Sequence, residues 1–219
     1  MPYQLNFAPV IARADLFVQG VAMTLYVSVI AMSLAIILGL IIALCRMAKY
    51  APLSTVARVY VQLFRGIPLY VYIIWVYYGL AMLLGIKFSP LQAGVICLST
   101  LYGAYLAEID RGALQSIPKE QTQAALSLGL TPAQTFKDVI LPQAIRTIIP
   151  PTTNLFAIML MDSSLVSVIG VMELMRLTKI GASDTFRSFE FYTAAAVIYV
   201  GLVLLFTRLS AYLERRYKF

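Results

Sequence analysis

Apolar residues dominate this chain in five long stretches that contain few or no charges. The stretches span residues 16–45, 66–86, 88–107, 147–172 and 191–207. A helix needs ~20 apolar residues to cross the hydrocarbon core of a bilayer, and each stretch meets or approaches that length. The pattern therefore predicts an all-α integral membrane protein with five transmembrane helices.

Composition and the first stretch agree with that prediction. The chain is 61% hydrophobic and 12% charged, whereas about 25% of the residues of a soluble domain are charged. The first stretch is too long for the core of a signal peptide, and no small-residue cleavage site follows it, so we expect a retained helix. No repeat, low-complexity tract or linker divides the chain, and residues 1–219 are expected to form a single domain.

The distribution of lysine and arginine predicts the orientation. With the N-terminus outside, twelve of the 17 basic residues lie on the inner side, among them Arg215, Arg216 and Lys218, and Glu214 lies there too. Such an excess is typical of cytoplasmic loops. The predicted C-terminus is therefore cytoplasmic. Because the cations are scattered over several short loops, the net charge of +7 indicates topology rather than a nucleic-acid partner.

Several kinds of chemistry are excluded by missing residues. Histidine is absent, which removes the commonest general base and the commonest metal ligand. No Gly-Lys-Ser/Thr sequence is present to bind the phosphates of ATP. Cys45 and Cys97 lie in or beside apolar stretches and are interpreted as small buried hydrophobes. We expect no catalytic residue, metal or cofactor in this chain.

The largest polar segment, residues 108–146, is predicted to hold two short cytoplasmic helices. Pro118 is expected to open the first, since a helix tolerates proline at its first position, and Gly129 to end it in a left-handed conformation. Residues 131–134 are typical of a capping box that starts the second helix. That helix is predicted to stop before Pro142.

Ala124, Ala125 and Leu128 fall on one face of the first of these helices. The face is small and mildly apolar, which suits close docking into a groove of another protein. An amphipathic helix on the lipid headgroups is the alternative, although such helices usually carry larger apolar anchors and a basic polar face.

The same segment resembles a family motif. Gln123-Ala124-Ala125, then Gly129, then residues 139–142 follow the spacing of the EAA loop of ABC importer permeases: Glu-Ala-Ala, three residues, Gly, nine residues, Ile, one residue, Leu-Pro. The sequence departs from the motif at Gln123, which replaces glutamate, and at Val139, which replaces isoleucine. The loop covers residues 116–142, approximately.

Four further segments, residues 65–69, 77–79, 103–108 and 162–170, resemble the polar amino acid (histidine, glutamine, arginine) subfamily of those permeases. The resemblance implies a type I, MetI-like importer in the bacterial inner membrane. Two permease subunits, identical or homologous, would pair, and each would dock one ATPase subunit that binds ATP and Mg²⁺. An extracytoplasmic binding protein would deliver the amino acid. The implied ATPase-coupling residues are Gln123, Ala124, Ala125, Leu128 and Gly129.

The fourth stretch contains the candidate substrate site. Asp162 is a charge deep in an apolar segment, which costs about 2.5–3.5 kcal/mol on insertion scales. It is predicted either to face a substrate or to cap a helix break by accepting from the amides of Ser163 and Ser164; both can hold. Asn154, Ile158, Met161 and Leu165 recur on one helical face. The candidate substrate-binding residues are Asn154, Ile158, Met161, Asp162, Ser163 and Ser164.

Met161 qualifies this prediction. The subfamily often has lysine or another polar residue where Met161 stands, so the substrate is bound differently or this subunit is the non-binding half of a pair.

Glu108 and Arg111 are one turn apart and are expected to pair in support of the coupling loop. Residues 65–68 are predicted to mark a bend before the second transmembrane helix.

A secondary transporter or channel that works alone is the alternative function. It predicts more charges within the membrane or an internal repeat, and the sequence shows neither. An intramembrane enzyme would need a nucleophile with a base or a metal site. The sequence leaves open which amino acid is carried and whether the permease pair contains one gene product or two.

Overall fold

The computed structural model describes residues 3–217 and, within them, all side chains except those of residues 213, 214, 216 and 217. The charged groups of Glu214, Arg216 and Lys218, which count toward the predicted orientation, lie outside this description. Every regular element in the described part is a helix. The α-helices are α1 Ala8–Ala12, α2 Ala14–Met47, α3 Ala51–Gly66, α4 Leu69–Ile74, α5 Ala81–Leu84, α6 Pro90–Gln115, α7 Lys119–Ser127, α8 Pro132–Gln134, α9 Leu141–Asp162, α10 Leu174–Thr185 and α11 Ser188–Tyr217.

Four helical segments of the described chain are long and apolar enough to cross a membrane: Ala14–Met47, Pro90–Gln115, Pro132–Ile169 and Ser188–Tyr212. A fifth span is obtained when α3 and the helix Leu69–Leu84 are counted together. The prediction of five spans is confirmed on that count. The predicted second stretch is thus the latter part of a longer, interrupted pair of helices.

The interruption lies where a bend was predicted, at Ile67 and Pro68. Pro68 has an extended backbone (φ −60°, ψ 126°) and immediately precedes α4. Its carbonyl accepts from the amide of Tyr72 at 3.0 Å, which starts the new helix. The N–H groups at the start of a helix have no acceptor within the helix. Proline, which lacks an N–H, therefore removes no hydrogen bond at this position.

The predicted stop before Pro142 is wrong. The chain continues from α8 through a π-helical segment, Thr135–Ile140, directly into α9. Proline inside an α-helix removes one hydrogen bond and clashes with the carbonyl four residues earlier, and the wider π turn changes that register. The Gln143 side chain also donates to the Val139 carbonyl at 2.8 Å, which supplies a donor beside the irregular segment.

Contacts divide the chain into two compact units. The first unit contains Met1–Ser33, Ile67–Ser99 and Phe156–Leu205, and the second contains Leu34–Gly66, Thr100–Leu155 and Phe206–Phe219. The long helices α2, α6, α9 and α11 each contribute residues to both units. The single domain over residues 1–219 stays a prediction.

Aromatic packing organises the core of the first unit. The rings of Phe17 and Phe191 stack with their centroids 5.7 Å apart, and Leu174, Ala182 and Ala195 complete the buried cluster. Burial of large aromatic side chains contributes most of the energy of such a core. The cluster therefore joins α2, α10 and α11 within this unit.

Close backbone packing organises the second unit. A Cβ atom at Gly39 would lie 2.6 Å from the Cβ atom of Leu106, so α2 and α6 approach more closely there than a larger residue would allow. Tyr60 of α3 donates its hydroxyl to the Thr100 carbonyl at 2.6 Å. Small residues that permit such approaches are typical of helix pairs in membranes.

Candidate functional site

The predicted coupling helix is α7, which lies in the second unit. It begins at Lys119, one position later than predicted, and Pro118 lies just before it in an extended conformation. The helix ends at Ser127, and Gly129, two positions later, has a left-handed φ of +84°. The Gly129 amide donates to the Leu126 carbonyl at 3.0 Å, and the Leu130 amide donates to the Ala125 carbonyl at 3.2 Å. These two bonds form a Schellman motif, so the predicted role of Gly129 is confirmed.

The turn after Gly129 is fixed by a capping box. The Thr131 amide donates to Oε1 of Gln134 at 2.9 Å, and the Gln134 amide donates to Oγ1 of Thr131 at 3.3 Å. Pro132 occupies the first helical position. The predicted capping box is therefore confirmed, and both ends of the segment between α7 and α8 are set by local sequence.

Most of the predicted coupling residues form an open surface. Gln123, Ala124 and Gly129 are exposed, and Leu128 is 81% exposed. Ala125 differs, because it is only 3% exposed and packs inside the unit. The surface available to a partner consists of Gln123, Ala124, Leu128 and Gly129, while Ala125 anchors the helix from behind.

A cavity of about 600 Å³ lies behind α7 in the second unit. Its walls include Met47 at the end of α2, Leu114 near the end of α6, and Leu126 and Phe136 of the coupling segment. Thr135 also lines it, and the hydroxyl of that residue is buried without a hydrogen-bond partner in the described structure. The inner side of α7 therefore faces this cavity in part, although Ala125 is buried against the rest of the unit.

Glu108 is the centre of an ionic cluster in the second unit. Arg111 donates to its Oε2 from Nη2 at 2.8 Å and from Nε at 3.0 Å, which confirms the predicted pair. Sequence reasoning missed Arg46, which donates to Oε1, and Arg65, whose Nη1 is 3.6 Å from the same oxygen. These arginines lie 62 and 43 positions from Glu108 along the chain, so no local pattern indicates the contact.

The last part of the candidate substrate helix lies in the first unit. Ile158 and Met161 are 39% and 43% exposed, and Asp162 is half-buried. Ser163 is fully buried, and its hydroxyl donates to the Leu160 carbonyl at 2.7 Å. Asn154 is exposed and lies in the second unit.

A change of helix type occurs where a break was predicted. The α-helix ends at Asp162, and Ser163–Ile169 form a 3₁₀-helix that ends at the left-handed Gly170. Asp162 makes no capping hydrogen bond to this segment. The capping interpretation is therefore wrong in its proposed form. Ser164, two positions after Asp162 in the sequence, is half-buried.

A second buried carboxylate, Glu173, was missed by the sequence analysis. Its side chain caps α10 by accepting from the amides of Met175 and Arg176, each at 2.8 Å. The Tyr199 hydroxyl donates to it at 2.8 Å. Burial raises the pKa of Glu173, and the two amides and the hydroxyl oppose that shift. A glutamate directly before a helix was the available signal, but its partner Tyr199 is 26 positions away.

Replacing Glu173 with alanine should destabilise the chain. The change leaves two helix amides and a buried tyrosine hydroxyl without their acceptor, and each buried unpaired group costs about 1–3 kcal/mol. Thermal unfolding in detergent measures the effect. Asp184→Asn is the control, because the Arg13–Asp184 pair is exposed and such pairs are worth about 0–1 kcal/mol. Equal losses in the two variants would show that the Glu173 network does not stabilise the fold.

The chain is similar to a known family of membrane proteins over most of its length. Residues 35–219 match the family described as the binding-protein-dependent transport system inner membrane component. The probable amino-acid permease protein YxeN of Bacillus subtilis (strain 168) is 40% identical over 200 residues, which cover 90% of this chain and 89% of the relative. The arginine transport system permease protein ArtQ of the same organism is 34% identical over 214 residues, or 98% of each chain.

A solved structure extends the likeness to three dimensions. The crystal structure of an amino acid ABC transporter with histidines superposes with a TM-score of 0.92 at 38% sequence identity. The match covers 98% of this chain and 100% of that chain. The similarity therefore covers nearly the whole chain and is not restricted to the coupling motif.

Proposed function

Because the chain belongs to the family of inner membrane components of binding-protein-dependent transport systems, we propose that it is the permease subunit of an ATP-driven importer of polar amino acids. The predicted fold, that of a type I (MetI-like) importer, is confirmed by the family and by the superposed amino acid transporter. The observation that supports the transport mechanism most directly is the exposed helix α7, which ends in a Schellman motif at Gly129 and is followed by the capping box of α8. Membership in this family argues against the alternative function, a transporter or channel that works alone.

The partners follow from the surface of α7 and from the absence of a nucleotide motif in the sequence. Two ATPase subunits hold ATP and Mg²⁺, and each binds the surface of Gln123, Ala124, Leu128 and Gly129 on one permease subunit. A second permease, identical or homologous, completes the pathway. An extracytoplasmic binding protein delivers the amino acid on the side of the N-terminus, and the C-terminus is cytoplasmic.

Movement of α7 is the proposed coupling step. When ATP draws the two ATPases together, each carries its docked helix with it, and the spans rock between inward- and outward-facing states. The cavity of about 600 Å³ behind α7 gives the helix room to shift without displacing a packed core. The capped turn at Gly129 and Thr131 transmits the shift to α8 and α9, since it is held by backbone hydrogen bonds at Gly129 and by the Thr131–Gln134 capping box.

The substrate is proposed to be a neutral or cationic amino acid. A zwitterion that leaves water needs fixed partners for its charges, and α9 offers the carboxylate of Asp162 with the hydroxyl of Ser164 close by in sequence. Arginine is the cargo in the name of the ArtQ relative, and histidines are present in the solved relative. Both are compatible with an anionic group in the pathway.

Purification separates this function from the alternatives. We expect the chain to co-purify with an ATPase subunit, and we expect the purified chain alone to hydrolyse no ATP, because it carries no nucleotide motif. In proteoliposomes with all partners, hydrolysis should rise when the loaded binding protein is added. A tight ATP site on the isolated chain, or uptake without an ATPase, would contradict the proposal.

A further inference from the structure

The ionic cluster around Glu108 contains more positive charge than its members neutralise. Arg46, Arg65 and Arg111 converge on one carboxylate, and the described part of the chain provides no other acidic partner for them. Three guanidinium groups and one carboxylate leave two positive charges. The guanidinium group remains protonated in proteins, so this excess cannot be relieved by loss of a proton.

The hydrogen bonds of the cluster are unevenly distributed. Arg111 uses three donors, two on Glu108 and one on Gln115. In the described structure Arg46 uses one donor on Glu108. Arg65 lies at ion-pair distance from Glu108 and over the Tyr105 ring, with its Cζ atom 5.2 Å from the ring centroid, and neither contact uses its in-plane N–H groups in a hydrogen bond. Since each guanidinium group has five N–H donors, most of the donors of Arg46 and Arg65 are available for a further acceptor.

Arg46 and Arg65 are also close to each other. Both approach Oε1 of Glu108 through Nη1, and the Arg65 distance is 3.6 Å. Two like charges that share one oxygen repel each other. The Arg46 side chain is only 14% exposed, so water screens that repulsion poorly. An additional anion between the two guanidinium groups would remove the repulsion and accept their remaining N–H groups.

The surroundings indicate what kind of anion fits. Arg46 and Arg65 lie in the last turns of α2 and α3, where membrane helices reach the headgroup region. Exposed apolar side chains lie within two positions of them: Leu44 is 45% exposed, Met47 42% and Leu63 51%. A soluble phosphate has no apolar part that could contact these side chains, whereas the acyl chain of a lipid would cover them.

We propose that Arg46 and Arg65 bind the phosphate of an anionic phospholipid at the ends of α2 and α3. Arg111 donates two hydrogen bonds to Oε2 of Glu108 and so holds this carboxylate in place. Glu108 in turn positions the two lipid-binding arginines. Basic pockets between membrane helices are known binding sites for anionic headgroups. The site goes beyond the transport function, because it requires neither an ATPase nor a substrate.

The test compares lipid compositions with the full chain alone. The chain is placed in nanodiscs of phosphatidylcholine or of an equimolar mixture with phosphatidylglycerol, and thermal unfolding and co-purified phosphatidylglycerol are measured. A ligand that binds only the folded state raises the unfolding temperature. We expect phosphatidylglycerol to stabilise the wild-type chain and Arg65→Gln to retain about fivefold less of it, because one basic side chain near the surface is worth about 1 kcal/mol.

Arg58→Gln is the matched control, since Arg58 is an exposed arginine on the same helix and outside the cluster. It should retain phosphatidylglycerol like the wild type. Equal losses in Arg58→Gln and Arg65→Gln would overturn the proposal in favour of general surface charge. Inorganic phosphate is added to neutral nanodiscs as the second arm, and stabilisation there that Arg65→Gln abolishes would overturn the lipid assignment in favour of soluble phosphate.

Failure of this site and failure of the transport function are distinguishable. The nanodisc experiment contains no ATPase, binding protein or amino acid. If phosphatidylglycerol does not stabilise the wild-type chain in these nanodiscs, the lipid proposal is wrong, whatever the uptake assays show. The Arg65→Gln chain in phosphatidylcholine alone shows whether the substitution itself disturbs folding, and an unfolding temperature equal to the wild type is expected.

Discussion

Gly129→Asp will abolish coupled uptake while the membrane helices remain inserted. The residue has φ +84°, a conformation that costs a non-glycine residue roughly 1–2 kcal/mol. Its surroundings are open, since a Cβ atom would meet no atom within 4 Å, so the folded subunit accommodates the new side chain. On the docked surface, however, a carboxylate would be buried without a partner, which costs several kcal/mol. ATP-driven uptake in proteoliposomes should fall by about tenfold or more, as 1.4 kcal/mol corresponds to a factor of ten.

Gly129→Asn separates the two contributions to that loss. Asparagine tolerates the left-handed conformation better than other residues and adds no charge, so this variant should keep most of the uptake. Co-purification with the ATPase should follow the same order, with the aspartate variant the weakest. Normal uptake by Gly129→Asp would show that α7 does not dock through this end, and the coupling proposal would be wrong.

The coupling segment also shows how far sequence reasoning reaches. Gly129 and the Thr131–Gln134 capping box were predictable, because left-handed glycines and capping boxes depend on residues within five positions of each other. The stop before Pro142 was not, because a π turn moves the hydrogen-bond register around the proline. Ala125 is buried by packing against the chain's own helical segments, which no helical-face pattern reveals.

Long-range polar contacts account for the rest of what the sequence did not show. Arg46 meets Glu108 across 62 positions, and Tyr199 meets Glu173 across 26. The sequence shows the charge or the ring of each residue but not the partner that it meets. The fold depends on apolar periodicity and span length, and both are visible in a single sequence. The partners of polar groups depend on which helices become neighbours.

Asp162→Asn is expected to reduce uptake of a cationic amino acid strongly. The carboxylate is half-buried at the transition from α9 to the 3₁₀-helix, and truncating one partner of a buried charge pair costs about 2–5 kcal/mol. Uptake of arginine should therefore fall by about tenfold or more. Asparagine has nearly the same shape, so the helix should persist. Uptake of a neutral amino acid should fall less, because it places no net positive charge beside this group.

Two variants make that result specific. Asp184→Asn removes the same charge from an exposed ion pair with Arg13, and uptake should remain at the wild-type level. Asn154→Ala tests the neighbouring candidate on α9, and a loss of uptake with intact ATPase binding would keep Asn154 in the site. Assembly with the ATPase is measured for every variant, since a variant that fails to assemble loses uptake for a structural reason.

The ratio of arginine to glutamine uptake decides what Asp162 does. If the carboxylate faces the substrate, Asp162→Asn lowers this ratio and leaves assembly intact, because only the charged side chain loses an interaction. If the substitution instead disturbs the structure around Asp162, uptake of both amino acids falls together and assembly with the ATPase weakens. Wild-type uptake by both Asp162→Asn and Asn154→Ala would remove α9 from the substrate site, and specificity would then lie with the partner permease and the binding protein.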